Sequence, residues 1–506
     1  MTATAPPCPP ERSATRSPSA IVGLALAIRL ALLFLPTGTY EDFYITLRYA
    51  YNIAHGLGFV YNPGQPVLGT TTPLYTLILA GFIRLGLNPI LFGKLINIAA
   101  DGLACVCIYR LGRAARAEAA GLAAAFLYAT TPLNLIWAVT GMESGLVAAA
   151  AIAAWAAWAE RRELLAWLAA AILLLLRVDG AALAGMLCLA FLWRDRRLPW
   201  RGLFLFGLIV LPWIGFASGY FGSPVPNSLW AKLVVYGYLA HGRLPNVVRL
   251  AASLGTVGWI MAGGWVLLGI RMAQGLRRGK ESSDSSELLL IAPFLWMAIY
   301  YAAMAFSKVF LFGWYFAPPT PIGYLLGCIG YAPVLSRLLT RAADGRPFRR
   351  RVRALALALL AVYAALGFRA AAQTLFADEA VQRTVLQPIG IWLRAHSRPE
   401  ETVMLEPIGI IGYFGEMRVL DKVGLVSPEV LPYYRRGAPD PMHALWQRFR
   451  PDWILLRAGE WTALTRLESK LQEANRISQY YTSERTWHDR RTGQPLFVLL
   501  HRKSGP

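Results

Sequence analysis

The recurrence of long apolar runs constrains this chain more than any other feature. Eleven of them fall in the first 370 residues, at roughly 20 to 36, 73 to 87, 90 to 109, 119 to 138, 141 to 157, 164 to 193, 200 to 219, 246 to 270, 287 to 306, 316 to 338 and 353 to 370. With 56% apolar residues against 16% charged over 506 positions, the chain has too little charge to cover so much apolar surface in water, and lipid is the expected solvent for the first two-thirds. The run from 164 to 193 covers 30 residues, about 45 Å of helix against an apolar slab of about 30 Å. With Arg177 and Asp179 at its middle, it reads as two short crossings joined by a polar turn.

Charge gives the sidedness. Residues 1–370 hold 32 Lys and Arg against 14 Asp and Glu, while residues 371–506 hold 18 against 15. The net charge of +21 is therefore mostly a property of the apolar part, where it reads as a topology signal rather than a nucleic-acid surface. Placing the basic clusters Arg110 to Arg116, Arg161 to Arg162, Arg194 to Arg197, Arg271 to Lys280 and Arg346 to Arg351 in the cytoplasm puts connections 37–72, 139–141, 177–179, 220–245 and 307–315 outside. That scheme closes with eleven crossings, a cytoplasmic N-terminus and an outer tail. Only the run 73–87 breaks the alternation, and it is left as a re-entrant or tilted helix or an additional crossing, for a range of eleven to thirteen.

The Pro, Ser and Thr rich residues 1–19 are expected to be disordered in the cytoplasm, and the run that follows reads as a retained first crossing. The five cysteines, Cys8, Cys105, Cys107, Cys188 and Cys328, show no metal-like spacing, and none lies in the tail. That tail, 371–506, changes character. Short alternating runs at Thr402 to Leu405, Trp453 to Leu456 and Leu496 to His501 suggest strands, with helices near Met442 to Phe449 and Trp461 to Asn475, so a small α/β domain is expected.

The first outer loop carries the densest chemistry. Thr39-Tyr40-Glu41-Asp42-Phe43-Tyr44-Ile45-Thr46-Leu47-Arg48-Tyr49 places two adjacent carboxylates just beyond a membrane helix, where they call for a hydrated or liganded site or, in the plainer reading, a helix cap. The loop continues through His55-Gly56, Tyr61-Asn62-Pro63-Gly64 and Gly69-Thr70-Thr71-Thr72-Pro73-Leu74-Tyr75, more turns, hydroxyls and aromatics than a connector needs.

From Glu41 to Tyr75 the chain resembles the first extracytoplasmic loop of bacterial GT-C fold glycosyltransferases that use lipid-linked sugars, the arabinofuranosyltransferase-like and mannosyltransferase-like polytopic enzymes. Further matches follow in order. Gly141-Met142-Glu143-Ser144 resembles the family's glycine-x-glutamate turn, and Arg177-Val178-Asp179-Gly180 resembles an arginine-proline-acid-glycine turn with Val178 in place of proline. Tyr220 to Asn227, continuing to Ala231-Lys232, and Gly313-Trp314-Tyr315-Phe316-Ala317-Pro318 resemble later outer motifs, with a looser match at Ile411-Gly412-Tyr413 through Asp421 and Gly424-Leu425-Val426.

The resemblance implies a polytopic all-α membrane protein with an extracytoplasmic α/β domain, acting as an inverting glycosyltransferase. The donor would be a polyprenyl-phosphate sugar, and the acceptor a cell-envelope glycan, lipid or protein. An attacking hydroxyl loses its proton as the anomeric bond forms, so a carboxylate must accept it. Asp42 stands where the family's second acid is expected and is the first choice for base. Glu41 replaces the first aspartate that relatives often have, which leaves the choice between the two acids open. The departing phosphate needs cations, for which Arg48, Arg177, Lys232 and Lys308 are candidates.

Tyr44, Tyr49, His55, Asn62, Thr71, Glu143, Asp179, Asn227, Trp314 and Tyr315 are the candidate substrate contacts, although Glu143 following Thr140 by three also fits a capping box. No cofactor is expected. A divalent metal shared by Glu41 and Asp42 is the alternative, but no histidine cluster or paired-aspartate motif supports it. The tail is expected to supply no base, since Glu406 and Glu416 stand alone in the sequence. The rival reading is a polytopic transporter or flippase, in which the same acids would be coupling groups; it would be favoured by inverted repeats of broken helices, and none is evident.

Overall fold

The computed structural model describes residues 17–36, 38–239, 246–278, 285–307, 309–341, 346–434, 440–469, 472, 476–490 and 492–503. Helices dominate its first two-thirds: α1 (Ser19–Phe34), α2 (Phe43–Ala54), α3 (Pro73–Arg84), α4 (Pro89–Ala114), α5 (Glu118–Thr130), α6 (Pro132–Val139), α7 (Ser144–Ala159), α8 (Glu163–Leu176), α9 (Gly180–Asp195) and α10 (Trp200–Phe221). There follow α11 (Asn227–Ala231), α12 (Gly237–Leu239), α13 (Asn246–Arg278), α14 (Ser285–Leu288), α15 (Ile291–Phe306), α16 (Thr320–Arg341), α17 (Arg346–Val381) and α18 (Gln387–His396).

This is a multi-pass helical membrane protein. Among the described residues four helical stretches are long and apolar enough to cross a membrane: Pro89–Ala114, Trp200–Phe221, Leu254–Gly275 and Arg350–His396. The pair α5 and α6, bent by 58°, makes a fifth if it is one span. The bend follows from Pro132, which holds Thr131 extended (φ −69°, ψ 132°) and interrupts the helical ladder. Five shorter apolar helices accompany them, α1, α3, α7, α8 and α15. The long run at 164–193 divides into α8 and α9 at Arg177–Asp179, as its length demands. Only 17% of the apolar window of α10 and 11% of that of Arg350–His396 is buried in the protein, so these apolar faces need lipid as their partner.

The run at 73–87, the one that broke the alternation, forms α3, whose 12 residues span about 18 Å. Its start lies by the start of α2, with the Thr46 and Thr72 hydroxyls 3.5 Å apart. Its end lies by the end of α2, where Arg84 Nη1 donates to the Ala54 carbonyl at 3.2 Å. The two helices therefore run side by side in the same direction.

The tail adds β1 (Thr402–Leu405), α19 (Gly409–Gly415), β2 (Arg418–Asp421), α20 (Pro441–Phe449), β3 (Trp453–Arg457), α21 (Ala458–Glu468), α22 (Ile477–Tyr480), β4 (Tyr481–His488) and β5 (Pro495–Arg502). The strands order β2-β1-β3-β5-β4. β1 pairs in parallel with both β2 and β3, and β5 runs antiparallel to β3 and β4. The carboxyl ends of β1, β2 and β3 and the first residues of β5 therefore lie along one edge of the sheet, the edge where open α/β sheets bind ligands. Strands β2 and β4 were not expected. β2 has four residues, and β4 alternates too little, with only Tyr481 and Trp487 of its eight residues buried.

Candidate active site

The acidic pair sits at the junction of the two parts. Tyr40 is fixed by its backbone N–H to the Thr140 carbonyl at 2.8 Å, and its ring lies 5.3 Å from Trp137 and 5.1 Å from Trp314. Helix α2 starts immediately afterwards, and Asp42 occupies its N-cap without making a side-chain capping bond. The carboxylate faces a cavity of about 670 Å³ instead. Glu41 also lines the cavity and its carboxyl is hydrogen-bonded to that of Asp42, while its Oε1 accepts from the Gly409 N–H and, at 3.2 Å, from the Ile410 N–H at the start of α19. Burial first, and then the charge of Asp42, push the Glu41 carboxyl well above its ordinary range. Gly409 is required by this approach, because a Cβ there would lie 2.0 Å from the Glu41 carbonyl oxygen.

The cavity takes its floor from the helical part and its roof from the sheet. Glu41, Asp42 and Ile45 line it from the start of α2, Lys232 and Tyr236 from a π-helical turn after α11, and Asp378 and Gln382 from the end of α17 and the π turn that follows. The sheet edge supplies Glu406 after β1, Val423 and Leu425 after β2, Arg457 at the end of β3 and Phe497 from β5. Glu406 does not stand alone: Arg457 donates to it through Nε at 2.8 Å and Nη2 at 3.0 Å. Behind Val423, Asp421 accepts from the backbone N–H groups of Val423, Leu425 and Val426. Burial pushes its carboxyl up to about 7 against those three bonds, which favour the charged form.

A second polar cluster adjoins the floor. Arg177, at the break between α8 and α9, donates to Asp179 through Nη2 at 3.0 Å and lies 3.9 Å from Glu143. Tyr300 bridges Asp179 and the Tyr315 carbonyl at 2.8 Å each. The Tyr315 ring lies 5.2 Å from the Arg177 guanidinium, and its hydroxyl accepts from Lys232 at 3.3 Å. Glu143, Arg177, Asp179, Tyr315 and Lys232 thus form one chain of contacts that reaches the cavity at Lys232. Glu143 caps α7 by position without a side-chain bond, so the capping box is not formed. Trp314 stacks on Phe312, a cavity residue, at 4.4 Å.

Several candidates do different work. Arg48, expected at a phosphate, is buried and donates to the carbonyls of Gly412 (2.7 Å) and Met417 (2.6 Å), with its guanidinium 4.2 Å from the Tyr61 ring. A guanidinium held this way clamps α2 to the sheet domain and is not available to a donor. Asn62 acts as a surrogate strand on the edge of β2, its Nδ2 donating to the Val419 carbonyl at 2.9 Å and its Oδ1 accepting from the Val419 N–H at 3.0 Å. Asn227 donates to the carbonyls of Gly424 and Leu425. The Tyr49 hydroxyl closes the loop, donating to the Val67 carbonyl and accepting from the Gly69 N–H.

Tyr44 packs on Tyr413 and Phe414, His55 is exposed and stacked on Tyr51, and Thr71 is half-buried away from the cavity lining. Lys308 lies outside the described residues. The buried pair of Asp101 with Arg29, at 2.5 Å, accounts for the acid inside α4, while Asn97 accepts from the N–H groups of Gly145 and Leu146 at the start of α7.

Sequence reasoning missed Tyr236, Asp378, Gln382, Glu406 and Arg457. Glu406 carried a usable signal, an acid at the end of an apolar strand beside Pro407; the others carried none. A cation shared by Glu41 and Asp42 would have to compete with two N–H donors for Glu41 Oε1. Among the described residues no group of three His, Cys, Asp or Glu is placed to hold a metal.

This arrangement of helices, loop and appended sheet is the GT-C fold. ArnT from Cupriavidus metallidurans, in a crystal structure bound to undecaprenyl phosphate, superposes over 96% of this chain and 99% of its own with a TM-score of 0.56 at 14% identity. The Archaeoglobus fulgidus oligosaccharyltransferase in its apo form superposes over 88% of this chain and 70% of its own, with a TM-score of 0.55 at 13% identity. The archaeal oligosaccharyltransferase AglB from the same organism, in complex with an inhibitory peptide and a dolichol-phosphate, covers 96% and 74%, with a TM-score of 0.54 at 13% identity. Residues 373–497 match a family described as a domain of unknown function (DUF8728), and no curated protein matches the chain by sequence.

Proposed function

We propose that this chain is an inverting glycosyltransferase that moves a sugar from a polyprenyl-phosphate donor to a cell-envelope glycan, lipid or protein, with residues 20–370 as the catalytic membrane part and 371–506 as an extracytoplasmic domain. The observation that carries this reading is the position of Asp42. It is a carboxylate without a capping bond, facing a cavity of about 670 Å³ where membrane helices meet the binding edge of a sheet. The fold is shared with proteins whose structures hold undecaprenyl phosphate or dolichol-phosphate. The basic clusters on the connections opposite this site support a cytoplasmic N-terminus and an outer cavity.

In this reading the donor phosphate lies by Lys232 on the helical floor, and the acceptor approaches beneath the Glu406–Arg457 pair of the roof. Asp42 takes the proton of the attacking hydroxyl as the anomeric carbon changes partners, and inversion follows from that single displacement. A phosphate leaving group needs no general acid, which suits a site where the Asp42 carboxylate and the Lys232 ammonium line the same cavity. Glu41 holds α19 at the cavity wall, and Arg177 orients the chain of contacts behind Lys232. The test is incubation of the purified protein with a panel of polyprenyl-phosphate sugars. Release of polyprenyl phosphate that depends on an added acceptor is the expected result, and no release from any donor would end the reading.

A further inference from the structure

Two π turns are found among the described helices, Lys232–Tyr236 and Gln382–Leu386, and both open on the same cavity. In each, the first and last residues line the cavity while the three between them do not. A π turn inserts an extra residue into an α-helical turn, is rare, and is frequently found at functional sites. Lys232 and Tyr236 are the two ends of one such turn. Both lie against Phe312: the Lys232 ammonium is 5.6 Å from that ring, and the Tyr236 ring centre is 6.1 Å away.

Lys232 has a partner in the Tyr315 hydroxyl, but among the described residues no hydrogen bond occupies the Tyr236 hydroxyl. Burial and then the charges of Asp42 and Glu406 raise the Tyr236 phenol above its ordinary range. It is therefore a neutral hydrogen-bond donor throughout the working pH range, in a cavity lined by Glu41, Asp42, Asp378 and Glu406 as well as Lys232 and Arg457.

We propose that Tyr236 is a second donor to the leaving phosphate, forming with Lys232 a two-point cradle carried on one π turn; this rests on the polyprenyl-phosphate reading above. In the transfer the bond from the anomeric carbon to the phosphate oxygen breaks, the bond to the acceptor oxygen forms, and the acceptor proton passes to Asp42. Tyr236 keeps its own proton and donates a hydrogen bond to a phosphate oxygen whose charge grows. Such a bond is strongest in the transition state and in the product complex.

The test compares equilibrium binding of undecaprenyl phosphate and of undecaprenol, the same lipid without phosphate, to the full-length protein in lipid nanodiscs. Tyr236→Phe keeps the ring against Phe310 and Phe312, so the fold should hold, with an unchanged unfolding midpoint. We expect about tenfold weaker binding of the phosphate and unchanged binding of the alcohol. Lys232→Gln should also weaken the phosphate, and the double variant should lose less than the product of the two single losses, because both donors hold one group. Equal weakening of both lipids would make Tyr236 a wall of the lipid groove and overturn the proposal, as would wild-type affinity in Y236F. A wild-type protein that does not prefer the phosphate to the alcohol would overturn the polyprenyl-phosphate reading itself, and this inference with it.

Discussion

Replacing Asp42 with Asn should decide between the two acids, of which the sequence puts Asp42 first and leaves Glu41 open. The change keeps the size of the side chain, breaks no capping bond, and leaves an amide oxygen that can still accept the hydrogen bond Asp42 shares with the Glu41 carboxyl. What is lost is the capacity to accept a proton, and the expected fall in turnover is about 10² to 10⁴, or about 2.7 to 5.5 kcal/mol of transition-state stabilisation. Glu41→Gln retains an oxygen that can accept from the Gly409 and Ile410 N–H groups. Because burial favours the neutral Glu41 carboxyl, the swap exchanges one neutral acceptor for another at a cost of about 1 kcal/mol or less, so turnover should fall by less than about tenfold. The assay is single-turnover transfer from a saturating polyprenyl-phosphate sugar, with donor binding measured separately so that lost affinity is not read as lost chemistry. Near-wild-type turnover in D42N would refute the assignment, and collapse in E41Q alone would transfer the role to Glu41. Collapse of both to the same level would point to a coupled pair or a shared metal.

Because the Glu41 carboxyl is raised in the folded protein, its protonated form is the one the fold favours. Its contribution is complete below the ordinary carboxylate range and is lost as pH rises through the elevated value. Thermal unfolding between pH 5 and 9 should therefore show E41Q gaining on the wild type as pH increases, and the reverse trend would contradict the burial argument. Gly409→Ala would place a Cβ 2.0 Å from the Glu41 carbonyl oxygen, and overpacking of this kind costs about 1 to 3 kcal/mol. The expected readout is earlier proteolysis of the sheet domain in G409A with little change in the helical part. Cysteines introduced at the exposed positions Pro66 and Ser469 should both react with a membrane-impermeant thiol reagent in intact cells, and labelling of either only after permeabilisation would reject the outer placement of the cavity.

The membrane helices, the break at Arg177–Asp179 and the strands β1, β3 and β5 are legible in the sequence because each follows from local chemistry: apolar length, a charged interruption or period-two alternation. The acidic pair is legible for the same reason, as two charges beside a membrane run. What the linear order could not show is which polar residues face a ligand and which are consumed by the fold. Arg48 and Asn62 have the composition of ligand contacts, yet their partners lie 364 and 357 residues away in the sheet domain, and burial there turns them into clamps. Glu406 and Arg457 are 51 residues apart, and each alone reads as ordinary surface charge. The parallel pairing of β1 with β3 brings their carboxyl ends together and sets that pair above Asp42. Side-chain identity determined what chemistry was available, but register and docking decided where it was used, because hydrogen-bond satisfaction in a buried junction depends on neighbours that only the closed chain supplies.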